Sequence, residues 1–204
     1  MDHRVRFVLL FLSASVLSMY VHELGHAVAG WFQSIPVFPS LAKEYVLRAN
    51  IEWREQIWIA FGGPAATAIV ASLAILWASR NQGRASSAVL GGVLVVPALY
   101  VIRTLLAGRG HDGLEWQEAQ SAIGLNPNGH VLDLFFILLF FAGCAVLAAR
   151  DELQIEWRSM ARWLSLGLVG VMTMIAIQVA NNAVFDPHFP KTQTLNIPAL
   201  VKGE

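Results

Sequence analysis

The sequence predicts an all-α integral membrane protein of about five transmembrane helices, with a short β-strand or hairpin between the first two. Three observations carry that prediction. Of 204 residues, 56% are hydrophobic and only 14% charged, whereas soluble domains carry about 25% charged residues. Five apolar segments, at approximately 7–32, 56–79, 86–107, 131–149 and 163–184, each approach or exceed the ~20 residues that cross a bilayer as a helix. The stretches between them are short and polar, so a single polytopic domain over 1–204 is expected, with no appended soluble module. Formal net charge is zero without a basic tract, which gives no reason to expect a nucleic-acid partner. Cys144 is the one cysteine, which excludes an intrachain disulfide and a cysteine-based metal site.

The first segment opens as RVRFVLLFLSASVLSM, with the basic start and apolar run of a signal peptide. The apolar character continues through Phe32, past any plausible cleavage point, so it reads as a retained span, long enough to tilt. In the loop that follows, Pro36 and Pro39 break any helix. Tyr45, Leu47, Ala49, Ile51 and Trp53 then alternate with Arg48, Asn50 and Glu52. Period-two patterning over 45–53 predicts a strand; a short interfacial helix with Arg48 paired to Glu52 is the alternative. Gly62, Gly63 and Pro64, near the start of the second segment, permit close helix packing.

The third segment ends at GRGHDGLE, and Asn126 to Gly129 reads as a turn. Asp133 and Arg103 belong at span ends, as do His130 and His188. Gln178, Asn181 and Asn182 cluster in the last span, where such residues bridge helices or hydrogen-bond a substrate. Lys and Arg divide almost evenly between the two sides, so the positive-inside rule fixes no orientation.

The first span is interrupted by HELGH, residues 22–26. Residues four apart share one helix face, so His22 and His26 can point their imidazoles at one ion while Glu23 projects beside them. Two histidine ligands with a carboxylate general base is the HExxH arrangement of zinc hydrolases, in which the ion lowers the pKa of a water to about 7. Coincidence produces the pattern in on the order of one chain of this length in a hundred, or fewer. A glutamate near the middle of a span costs ~2.5–3.5 kcal/mol on insertion scales, so it marks a site.

A third ligand is needed, and Asp112, His111, Glu115, Glu118, His130 and His188 are the candidates. The first and third spans run in the same direction, so HELGH and the segment after the third span meet at one leaflet. Asp112 is preferred, because zinc with two neutral imidazoles, one carboxylate and one hydroxide sums to zero charge. Gly110 and Gly113 let its backbone approach closely. Capping of a helix, with Glu115 completing the box, is the competing role of Asp112, and His111 or Glu115 are the competing ligands.

With these residues in view, the chain resembles the site-2 protease family of intramembrane zinc metalloproteases. HELGH matches the family's HExxH in a membrane helix, His111-Asp112-Gly113 resembles its later Asp-Gly motif, and Gly62-Gly63-Pro64-Ala-Ala-Thr67 looks like its Gly-Pro-x-x-Asn element. The likeness covers spans one to three. Thr67 stands where the family has Asn, which weakens a substrate-polarising role, and the fuller Asn-Pro-Asp-Gly form is absent before Asp112. The resemblance implies a Zn2+ cofactor on His22, His26 and Asp112, and Glu23 as catalytic base. It implies Thr67 as a substrate contact, beside Asn181 and Asn182 as read from their place in the last span, and a transmembrane protein as the substrate. It implies a multi-pass protein of a bacterial-type cell membrane with the zinc nearer the cytosol. The strand over 45–53 would bind an unwound substrate by β-augmentation. Two other readings compete: an HExxH peptidase of the prenyl-protein type, which would promote Glu115 or Glu118 as ligand, and a metal-binding membrane protein without hydrolysis.

Overall fold

Helix α1 (His3–Phe32) packs against four other helices and both strands of the structure, a computed structural model that describes residues 2–48, 51–108, 113–126, 129–150 and 157–189. The remaining elements are β1 (Val37–Pro39), β2 (Glu44–Val46), α2 (Trp53–Arg80), α3 (Arg84–Val93), α4 (Val95–Ala107), α5 (Gly113–Ala122), α6 (Val131–Ala148) and α7 (Trp157–Phe185). Asp2 caps α1 by accepting the Arg4 N–H at 3.0 Å. At the other end Ser34 takes a left-handed backbone (φ 59°), which turns the chain into the hairpin.

Among the described residues, α1, α2, α6 and α7 are long and apolar enough to cross a membrane; α3 and α4 together make a fifth if the pair counts as one span. Large apolar side chains cover the outside of the long helices as well as the core, and several polar residues are buried among them. Leu73, Leu76, Leu138, Phe141, Leu164 and Leu168 are exposed, while Ser15, Ser18, His22, Thr67 and Asp133 are buried.

Small residues set how closely the helices approach. A Cβ on Gly25 would fall 2.3 Å from the Gly62 carbonyl oxygen, and one on Gly62 equally close to that of Gly25. Helices α1 and α2 therefore meet backbone to backbone, running antiparallel, the arrangement small residues permit in apolar bundles. Gly92 does the same for α3, where an added Cβ would fall 2.3 Å from the Phe11 carbonyl. Tyr100 of α4 stacks on Phe136 of α6 at 4.4 Å, and Trp163 of α7 lies against Phe7 and Phe11.

Four sequence expectations require correction. The third span is two helices bent by 40° around Leu94. Pro97 supplies no N–H to the Val93 carbonyl and its ring crowds that group, so the ladder breaks there. Leu94 then fits against Gly143 of α6, where a Cβ would fall 2.5 Å from its Cδ1. The strand over 45–53 shortens to 44–46, paired antiparallel with 37–39 in the register Val37↔Val46, Phe38↔Tyr45, Pro39↔Glu44. Its alternation fails early, since Leu47 is 49% exposed and Trp53 already begins α2. Glu55 draws the chain into helix by accepting the Glu52 N–H at 2.9 Å, and it takes the Arg48 guanidinium, which the alternative helical reading pairs with Glu52. The short polar stretch expected between the third and fourth spans contains a helix of its own, α5, lying against α2. Asp133 is buried rather than interfacial, bonded to His130 Nδ1 at 3.1 Å.

The hairpin is tied to α7. Asp186, just beyond α7, accepts the Tyr45 hydroxyl at 2.8 Å and the Lys43 ammonium at 3.2 Å, and Asn181 Oδ1 accepts the Leu41 N–H at 3.2 Å. Tyr45 stacks on Phe189 at 4.5 Å. Burial, with the Asp186 carboxylate beside it, pushes the Tyr45 phenol up to about 12.

The α1–α2 contact makes a direct prediction. Gly62→Ala should destabilise the protein by about 1–3 kcal/mol, read as a lowered unfolding midpoint in detergent. Gly83→Ala, where an added Cβ meets nothing within 4 Å, should be near neutral.

Candidate metal centre

The close approach of α1 and α2 places one helix's histidines against the other's backbone. Gly63 leaves room for the His26 imidazole, since a Cβ there would fall 2.2 Å from its Nε2. His26 Nδ1 lies 2.7 Å from the Ile59 carbonyl oxygen. A carbonyl only accepts, so Nδ1 carries the proton and Nε2 of the neutral ring carries the lone pair. The Gly63 nitrogen is 3.4 Å from the same Nδ1, too far to compete.

His22 Nδ1 lies 2.9 Å from Thr67 Oγ1, and its Nε2 lies 3.1 Å from Nε2 of His26. Two imidazole nitrogens sharing one zinc at about 2.0–2.1 Å stand about 3.3 Å apart, so the pair is spaced for a common ion. Thr67 serves both states of the ring. Without an ion its hydroxyl donates to His22 Nδ1, and His22 Nε2–H donates to His26. With an ion it accepts from His22 Nδ1–H and frees both Nε2 lone pairs. Outer partners of this kind on each histidine are what metal-ligating imidazoles usually have. His22, Glu23 and His26 are 5%, 8% and 1% exposed. Donor type, spacing and tautomer all fit a divalent cation.

A second group overlaps this pair. Glu23, His26 and Glu44 present ligand atoms that all lie within 4.8 Å of one another. His22 is not part of that trio, so His26 is the residue shared between the two sets. Two carboxylates this close repel one another when both are ionised, a cost that a cation between them removes.

The sequence-predicted residues distribute as follows. His22, Glu23 and His26 sit together, and Thr67 joins them through His22, bonded to the ring expected to bind metal. Asn181 holds the hairpin through Leu41, and Asn182 stands beside it on α7 with its Oδ1 buried. His111 and Asp112 lie outside the described residues, and α5 begins directly after them, carrying Glu115 and Glu118. His130 pairs with Asp133. Sequence reasoning missed Glu44. No sequence pattern singles it out; the ladder register places its carboxylate at the strand end, near Glu23 and His26.

Replacing Thr67 tests the outer partner. Thr67→Val, nearly isosteric but without a hydroxyl, should weaken zinc binding about 10–100-fold, while Thr67→Ser keeps it, measured by competition with a chromophoric chelator. No family model, curated protein or solved structure matches this chain.

Proposed function

We propose that the protein is a zinc-dependent intramembrane endopeptidase, hydrolysing peptide bonds in or near transmembrane segments of membrane-protein substrates. The observation that carries this reading is the His22–His26 pair, with both Nδ1 atoms engaged and the two Nε2 atoms 3.1 Å apart. Support for the membrane setting comes from the apolar exposed faces of α2, α6 and α7, with Ser18, His22, Thr67 and Asp133 buried between the helices. An open, mainly apolar groove on α1, lined by Leu12, Ser13, Val16, Leu17 and Tyr20, is bordered by Leu41 between the two strands.

His22 and His26 hold the ion, together with a carboxylate; Asp112 remains the proposed third ligand. The ion supplies Lewis-acid polarisation of a scissile carbonyl and acidifies a water. Glu23, one residue from His22 and largely buried, takes the proton from that water and delivers it to the leaving amine. Ile59 and Thr67 keep the two rings in orientation throughout. The wall formed by Tyr100 and Phe136 limits water on one side of His22, whose ring lies 6.4 Å from Tyr100. A helical substrate must be unwound before its carbonyl is available, and the extended hairpin offers an edge for it.

Membranes carrying wild type and Glu23→Gln should differ in one respect. Wild type accumulates a tail fragment of a membrane protein that Glu23→Gln does not produce, with zinc content equal in both. Equal fragment patterns in the two membranes would refute a hydrolytic role for Glu23.

A further inference from the structure

The hairpin carries a carboxylate into the metal centre. In the β1–β2 register, Tyr45 faces the aromatic residues and Asp186 at the end of α7. Side chains alternate along a strand, so Glu44 and Val46 occupy the opposite face. Val46 packs on the cluster of Ala27, Ile35, Val37 and Ile59, which directs that face toward α1. Glu44 lies at the end of the ladder with its ligand atom within 4.8 Å of those of Glu23 and His26. Its neighbour Lys43 turns away to Asp186. Among the described residues no hydrogen bond or ion pair occupies the Glu44 carboxylate.

We propose that Glu44 is a displaceable ligand, which closes the metal centre while the hairpin is docked and leaves with the hairpin when substrate enters. The inference rests on the reading of His22 and His26 as a metal-binding pair. Structural zinc sites have four protein ligands, whereas catalytic sites keep one position for water or substrate. Glu44, on the His26 side of the pair and beside Glu23, takes the position that a catalytic site leaves open and shuts it. The hairpin that carries it is short, three residues to a strand, and is fastened to α7 by the Asp186 and Asn181 contacts. Those contacts set how much of the time the site is shut. A substrate strand pairing at the hairpin would compete with this docking, so access would be coupled to substrate arrival.

The test uses the full chain in detergent loaded with Co2+, titrated with acetohydroxamate and followed by the visible d–d spectrum. A ligand that needs the open state binds more weakly in proportion to how seldom that state is populated. A hairpin docked nine-tenths of the time therefore predicts about tenfold tighter acetohydroxamate binding in Glu44→Gln and Glu44→Ala, with Co2+ retained at wild-type stoichiometry. Asp186→Asn, which leaves every ligand in place and loosens the docking, should fall between them and wild type. Unchanged acetohydroxamate affinity and unchanged spectra in both Glu44 variants would overturn the proposal. So would loss of Co2+ in Glu44→Ala as complete as in His22→Ala, since Glu44 would then be a permanent ligand. The underlying reading fails separately, and takes this one with it, if wild type binds no Co2+ or His22→Ala binds it as wild type does.

Discussion

The contact between Gly25 and Gly62 is the constraint on which the rest of this structure depends. Two helix backbones cannot approach this closely with any Cβ between them. Once they do, the imidazole of His26 sits over Gly63 and reaches the Ile59 carbonyl, and Thr67 comes level with His22. Four residues on α2, at 59, 62, 63 and 67, thus fix the position and protonation of two residues on α1. A larger side chain at either glycine would separate the helices and remove the outer partners of both rings.

Polarity is arranged around that contact. Outward faces of the long helices carry Leu, Ile and Phe, while His22, His26 and Asn181 lie inside, each bonded to a partner on another element. Such an interior gives a cation little competition from water, and it strengthens every interaction the cation makes. The hairpin extends the arrangement to α7. Its aromatic face is bonded to Asp186, and its other face brings a carboxylate to His26 and Glu23. The centre is therefore linked to a helix that contributes no expected ligand of its own.

Much of this was legible in sequence, for identifiable reasons. Long apolar runs gave the helices because a bilayer-length segment has few alternatives. HELGH was legible because His at i and i+4 with an adjacent Glu is chemically costly inside a span. Gly62 and Gly63 were read as close-packing residues, and they are. Thr67 was read through a family likeness as a substrate contact; its partner in the structure is His22, which only the antiparallel register of α1 and α2 reveals. The bend at Leu94 was present in the sequence as Pro97, but apolar continuity outweighed it in a reading based on length. Glu44 carried no pattern at all, because a carboxylate in a short polar loop ordinarily marks a solvated turn. Only the ladder register shows which way it faces. Asp112 lies outside the described residues, and the third ligand is carried by chemistry rather than geometry.

The central claim is that His22 and His26 bind one ion through Nε2. X-ray absorption at the zinc edge of the purified full chain tests it most directly. The account predicts one zinc per chain, with a first shell of nitrogen and oxygen near 2.0–2.1 Å and the outer-shell scattering of two imidazoles, which is lost in His22→Ala and His26→Ala. A metal-free chain after zinc loading, or a spectrum with sulfur ligands or without imidazole scattering, would contradict it.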